Sequence, residues 1–264
     1  MTEIEIMEQD AINAAIAYRW SDAIKLNKKI LSLNKKNLSA LLRLAFAYMR
    51  LDDLDHARKY YRQVLKIQPI NSVAIENLER IKILQNKKIK NQKKTKVMFN
   101  PELFLESAGK TKSVKLVNLG QKNVLAQLLV GQEVVLKTKK RKVEVRTKYD
   151  DEYIGSLPDD LSKRLRLFIK AKSQYSAFIK ENSLNNLIVF IREDSKGKKV
   201  ANYISFPLDL SKNINEIQKE ESLVDEETTE DSLELDIEKI AESLTTEEKD
   251  ALPYEPDKET EEEE

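Results

Sequence analysis

The sequence predicts a multidomain α + β protein: an N-terminal α-solenoid of about five helices, a small β-barrel-like α+β domain, and a disordered acidic tail. Three observations predict it. The first 88 residues repeat on themselves at a 34-residue offset with helical apolar spacing. Past Asn100-Pro101 the apolar period falls from about 3.6 to about 2. Residues 216–264 then hold 22 Asp/Glu against four Lys, a composition too charged to bury a core. The division is 4–88 for helical repeats, 87–100 for a basic linker, 101–206 for a β-rich domain with a helix at about 158–171, and 207–264 for the tail.

In the repeat, Trp20-Ser21-Asp22-Ala23-Ile24 superposes on Leu54-Asp55-His56-Ala57-Arg58, and Ile30 and Leu33 superpose on Val64 and Ile67. Ile12, Ala15 and Ile16 precede the first copy; Leu41, Leu44, Ala45 and Tyr48 precede the second. Small alanines at 23 and 57 let paired helices approach, and Tyr48 or Tyr61 fills the space beside them. Pro69 has no N–H and ends the helix before it. Asn71 and Ser72 then stand where a third leading helix needs a cap, with Val73, Ile75, Leu78, Ile81 and Leu84 as its apolar positions.

This pattern resembles the tetratricopeptide repeat family. Leu44, Ala45, Tyr48, Ala57, Tyr61 and Pro69 sit at that family's spaced core positions, while Asn27 and Lys35 replace the aromatic and the proline in the first copy. The resemblance implies helix–turn–helix units and a peptide-binding concave face made by the first helix of each pair. By repeat position, Ser39, Leu42, Arg43, Phe46, Met49 and Arg50 point to that face. For Phe46 and Met49, burial against the capping helix is the competing reading. Two full repeats are few, so the solenoid is expected to lean on a neighbour or a second copy.

The lysine-rich stretch Asn86–Lys96 reads as an extension of the third leading helix or as a flexible spacer, and with a nucleic-acid partner it adds phosphate contacts without sequence reading. Beyond it, strand-like runs occupy Val114–Leu119, Glu133–Thr138, Lys142–Thr147, Tyr153–Ser156, Tyr175–Lys180 and Leu187–Arg192. One strong helix starts with Pro158 at its first position and carries Leu161, Leu165, Phe168 and Ile169. A shorter one is expected over Gln121–Leu129, with Val124, Leu125 and Leu128 inward.

Tyr153-Ile154-Gly155-Ser156-Leu157-Pro158, followed by that helix, resembles the second half of a HIRAN domain, and Gly131-Gln132-Glu133-Val134-Val135-Leu136 is similar to an earlier strand of the same family. The resemblance implies a small β-barrel and binding of single-stranded DNA ends. The family's charged-proline and Asn/Asp-Ala-Ile segment has no counterpart between Leu136 and Tyr153; the chain has a shorter, more basic stretch there. Judged on the residues alone, Lys137, Lys139, Lys140, Arg141 and Lys142 form a basic hairpin tip, with Arg146 and Lys148 on the returning strand. Tyr149, Tyr153 and Tyr175 either stack on bases or fill the barrel.

Composition removes most enzyme classes. Cysteine is absent and His56 is the only histidine, which leaves no thiolate chemistry and no multi-histidine metal site. Five glycines form no phosphate-binding loop. The consecutive acids Asp150, Asp151 and Glu152 do not all face one side of an extended chain. No catalytic residue, metal or cofactor is assigned, and no small-molecule substrate or membrane contact is expected. Neither an 18-residue apolar run nor a signal-like start is present, so the expected address is the cytoplasm. The net charge of +1 hides a polarised chain, with 28 basic against 13 acidic residues in 87–215. The expectation is a non-enzymatic scaffold with a protein partner in its repeat groove and a basic domain suited to nucleic acid; the alternative is a single-strand binder gated by its tail. Within the tail, Leu233, Ile237, Ile240, Ala241 and Leu244 keep helical spacing. That segment is suited to docking on a partner or to folding back on the basic hairpin; the bland alternative is a solubilising tail.

Overall fold

Polar caps set where each N-terminal helix begins. The computed structural model describes residues 2–86 and 101–207. Thr2 and Glu5 form a reciprocal capping box at the start of α1 (Glu3–Ile16). After α2 (Trp20–Leu33), the Asn37 side chain accepts from the Ala40 N–H at 2.8 Å to open α3 (Leu38–Arg50). Asp53 caps α4 (Leu54–Ile67) through the His56 N–H, and Asn71 caps α5 (Ser72–Asn86) through the Ala74 N–H at 2.9 Å. The bounds of α2 and α4 differ by 34 residues at both ends, as the repeat requires.

Leu41, Leu44, Ala45, Ala57, Tyr61, Val64 and Ile81 form the buried seam of this stack. Asn27, in the repeat position of Tyr61, is also buried. Its amide donates to the Ala23 carbonyl at 2.7 Å and its oxygen accepts from Arg43 at 3.0 Å. A polar residue is tolerated there because both ends of the amide are satisfied. On α5, Ala74 and Ile81 are buried and Leu78 is half-buried, whereas Val73 and Ile75 are exposed. Leu78, Ile81 and Leu84 face inward as expected, and Ala74 takes the first inward position in place of Val73 and Ile75.

The second half is a curled antiparallel sheet, an α+β half-barrel. Its strands are β1 (Thr111–Lys115), β2 (Glu133–Thr138), β3 (Val143–Thr147), β4 (Tyr153–Ser156), β5 (Gln174–Asn182) and β6 (Leu187–Ser195), in the order β1-β6-β5-β2-β3-β4. Inward residues alternate along the strands: Val134, Val143, Val145, Ala177, Ile179, Leu187, Val189 and Ile191 are buried together. The first strand lies earlier than Val114–Leu119, because from Val117 the chain leaves β6 and crosses to the opposite edge. There Val117 and Ser156 exchange backbone hydrogen bonds of 2.8 and 2.9 Å, and the Gly120 N–H donates to Ile154 at 2.7 Å. Gly120 is needed at this seam, since a Cβ would stand 2.2 Å from the Tyr153 carbonyl oxygen.

The expected short helix contracts to α6 (Lys122–Leu125), with Leu128 buried just beyond it. The long helix α7 (Asp159–Lys170) has Pro158 as its N-cap rather than its first turn, and buries Leu165 and Phe168. The neighbour on which the solenoid leans is this half-barrel. Ile83 and Leu84 of α5 pack against the sheet's core, Arg80 donates to the Asn182 carbonyl at 2.7 Å, and the Leu184 N–H donates to Glu76 at 3.1 Å. Lys122 and Glu79 add an ion pair at 2.6 Å. The basic linker and the acidic tail, including residues 232–244, lie outside the described residues.

Candidate protein-binding groove and basic hairpin

The 34-residue register lines up three rungs of the groove. Ile12, Phe46 and Arg80 occupy one equivalent position on α1, α3 and α5; Ile16, Arg50 and Leu84 occupy the next. On the third rung these positions are already covered, because Arg80 and Leu84 face the half-barrel. The open groove is therefore α1 and α3. Phe46 is 44% exposed there, and Ile12 and Ile16 are exposed as well.

Of the six residues assigned to this face, the structure divides the roles. Ser39 is exposed and Phe46 meets the Trp20 ring edge-on at 5.9 Å rather than the capping helix. Leu42 and Met49 are half-buried against the repeat core. Arg43 is spent inside the stack, donating to Glu8 and Asn27 at 3.0 Å each. The Asn37 and Arg43 hydrogen bonds hold the Glu8 carboxyl below its ordinary range. Arg50 lies over the Trp20 indole at 5.6 Å, and burial lowers its guanidinium pKa. Tyr18, in left-handed backbone at φ 58°, brings its ring edge-on to Trp20 at 5.9 Å. Trp20 and Tyr18 were not assigned to the groove from sequence. Trp20 aligns with Leu54, an apolar helix start, and nothing in that alignment separates a core residue from a groove wall.

The basic residues assigned to the second domain are brought to one hairpin. Strands β2 and β3 pair from Val134↔Thr147 to Thr138↔Val143, and the Lys139 N–H closes the tip on the Lys142 carbonyl at 2.8 Å. Four of these cations are already paired. Lys137 meets Asp151 at 2.7 Å, Lys148 meets Glu133 at 2.6 Å, Arg146 meets Glu144 at 3.0 Å, and Lys142 meets Glu144 at 4.0 Å. Lys137 and Arg146 hold the Asp151 carboxyl below its usual value, so that acid is a partner of the hairpin. Lys139, Lys140 and Arg141 make no ion pair among the described residues. The Val143 N–H donates to Ser162 at 3.2 Å, which sets the base of this tip against α7 beside exposed Lys163.

The three tyrosines do not form one stacking platform. Tyr149 is 73% exposed in the β3–β4 turn. Tyr153 is half-buried, donates to the Asn118 carbonyl at 2.7 Å, and has Lys142 at 5.8 Å from its ring. Tyr175 is turned inward: its hydroxyl lies 2.7 Å from Ser205, which donates on to Glu193, and its ring packs edge-on to Phe206. Burial pushes its phenol up to about 12. The barrel-filling reading holds for Tyr175, because alternation along β5 places it on the side of Ala177 and Ile179.

Compared with known families, residues 39–71 match the tetratricopeptide repeat model, the span of α3, α4 and the turn after them. A repeat of this kind supports a protein-interaction scaffold. No curated protein matches the chain. Among the described residues, no helix is long and apolar enough to cross a membrane.

Proposed function

We propose that this chain is a non-enzymatic interaction protein whose α1–α3 groove holds a segment of a protein partner. The observation that carries the reading is an exposed Phe46 walled by Trp20 on a face whose third rung is closed by the half-barrel. An aromatic anchor beside an arginine is the chemistry that dominates protein interfaces. The test is co-purification with the full chain and with Phe46→Ala. A defined protein retained by the first and lost by the second supports the reading; an identical set on both ends it.

A second contact, to single-stranded nucleic acid, is favoured by the unpaired cations at the β2–β3 tip. The HIRAN resemblance points the same way, with Tyr149 as the available stacking ring. Labelled DNA and RNA oligonucleotides titrated with the full chain at two salt concentrations test it. Salt-sensitive binding that weakens with Lys139→Ala, Lys140→Ala and Arg141→Ala supports the contact, and no binding at low salt removes it.

A further inference from the structure

The two arginines of the groove differ in what they meet. Arg43 is held by Glu8 and Asn27, whereas Arg50 rests on the Trp20 indole and, among the described residues, has no carboxylate within ion-pair distance. Its guanidinium is partly stripped of water, so an arriving carboxylate gains more than it would from a solvated surface arginine. One turn before it on α3 stands exposed Phe46, and on α1 the equivalent repeat positions carry exposed Ile12 and, on the rung of Arg50, Ile16 at 59% exposure. The matching occupant carries apolar side chains one helical turn apart with carboxylates between them.

This chain contains such a segment. Leu233, Ile237, Ile240 and Leu244 keep the helical period, and Glu234, Glu238 and Glu242 are interleaved at four-residue intervals. Twenty-five positions separate Pro207, the last described residue, from Ser232. A chain of that length reaches about 80 Å extended, against a diameter of roughly 40 Å for a body of about 190 residues. We propose that residues 232–244 are an occupant of the groove, laid across α1 and α3 with Ile237 and Ile240 on Phe46 and Ile12 and a glutamate on Arg50. This rests on the groove reading above. It makes the tail a competitor of the groove's protein partner rather than a cover for the basic hairpin.

Trp20 is the only tryptophan of the chain, so acrylamide quenching of its fluorescence reads this groove directly. The full chain is compared with a full-length Ile237→Glu/Ile240→Glu double variant. The expected result is a quenching constant at least twofold higher in the variant, restored by a synthetic peptide of residues 230–246. Restoration fails when Arg50→Gln is added, with circular dichroism confirming that the helices persist. Equal quenching of the wild type and the double variant overturns the proposal. So does equal protection by a scrambled peptide, which reduces the contact to net charge. A tail that shields Lys139–Arg141 from acylation and leaves Trp20 untouched assigns it to the hairpin instead. An unrelated peptide that protects Trp20 where 230–246 does not removes the tail while leaving the groove as a binding site.

Discussion

Arg80 on α5 donates to the backbone carbonyl of Asn182, 102 residues further along, at 2.7 Å. The same guanidinium lies 3.5 Å from Glu76, which itself accepts from the Leu184 N–H. One arginine thus ties the open end of the helical stack to the β5–β6 turn. Its side chain is 11% exposed, so truncation takes the partner from the half-buried Glu76 carboxylate and from the Asn182 carbonyl together. Arg80→Ala is expected to cost about 1–3 kcal/mol, chiefly through the lost charged hydrogen bond to Asn182, and to split one thermal transition into two. Calorimetry of the full chain checks this; a single transition at an unchanged midpoint contradicts the coupling.

Substitutions on α3 separate core from groove. Leu44 is fully buried, and Leu44→Ala is expected to cost about 2–5 kcal/mol through the cavity it leaves. Phe46 is much more exposed, so Phe46→Ala is expected to stay within about 1 kcal/mol of wild type while abolishing partner retention. Urea denaturation beside co-purification distinguishes them, and equal destabilisation by both would place Phe46 in the core.

The barrel seam depends on Gly120. A Cβ there meets the Tyr153 carbonyl oxygen at 2.2 Å, so Gly120→Ala requires the crossing segment to move away from β4. The expected cost is about 1–3 kcal/mol, with faster amide exchange at Val117 and Ser156, whose mutual hydrogen bonds close the seam. Unchanged protection at both amides would show that the seam does not need the glycine.

High pH strains the second domain through Tyr175. Its phenol is pushed up to about 12 by burial, above the ordinary value near 10. Between these values the unfolded chain has released a proton that the folded one retains, so stability is whole below about pH 10 and falls as pH rises towards about 12. Burial raises Tyr61 in the same direction. Tyr175→Phe is expected to flatten part of this decline while lowering stability at neutral pH by about 1 kcal/mol through the lost hydrogen bond. Melting curves from pH 8 to 11.5 test it; parallel pH profiles for the two proteins would contradict the assignment.

The repeat was legible in sequence because its chemistry is local: alanines, tyrosines and caps recur at 34 residues, and α2 and α4 obey that spacing at both ends. The strands β2, β3 and β4 were legible for a similar reason, as alternation between clear turns. What escaped is non-local. Arg80 and Glu76 look like ordinary helix-surface charges until Asn182 and Leu184 are brought to them. Val117 leaves one strand for another because of Ser156, which is 39 residues away and has no local signature. Within the basic hairpin, Glu144 pairs with Arg146 and Lys142, each two residues away along the chain, a local spacing. The neutralisation of Lys148 by Glu133 and of Lys137 by Asp151 could not be read from sequence, since it arises only when β2 is laid beside β3 and the turn after it.

The most direct test of the central claim is quantitative co-purification with full-length wild type, Phe46→Ala and Lys140→Ala, each first shown to melt at the same temperature. The account predicts a defined protein partner retained by wild type and Lys140→Ala and depleted at least tenfold with Phe46→Ala. Equal recovery on all three would contradict a groove centred on Phe46.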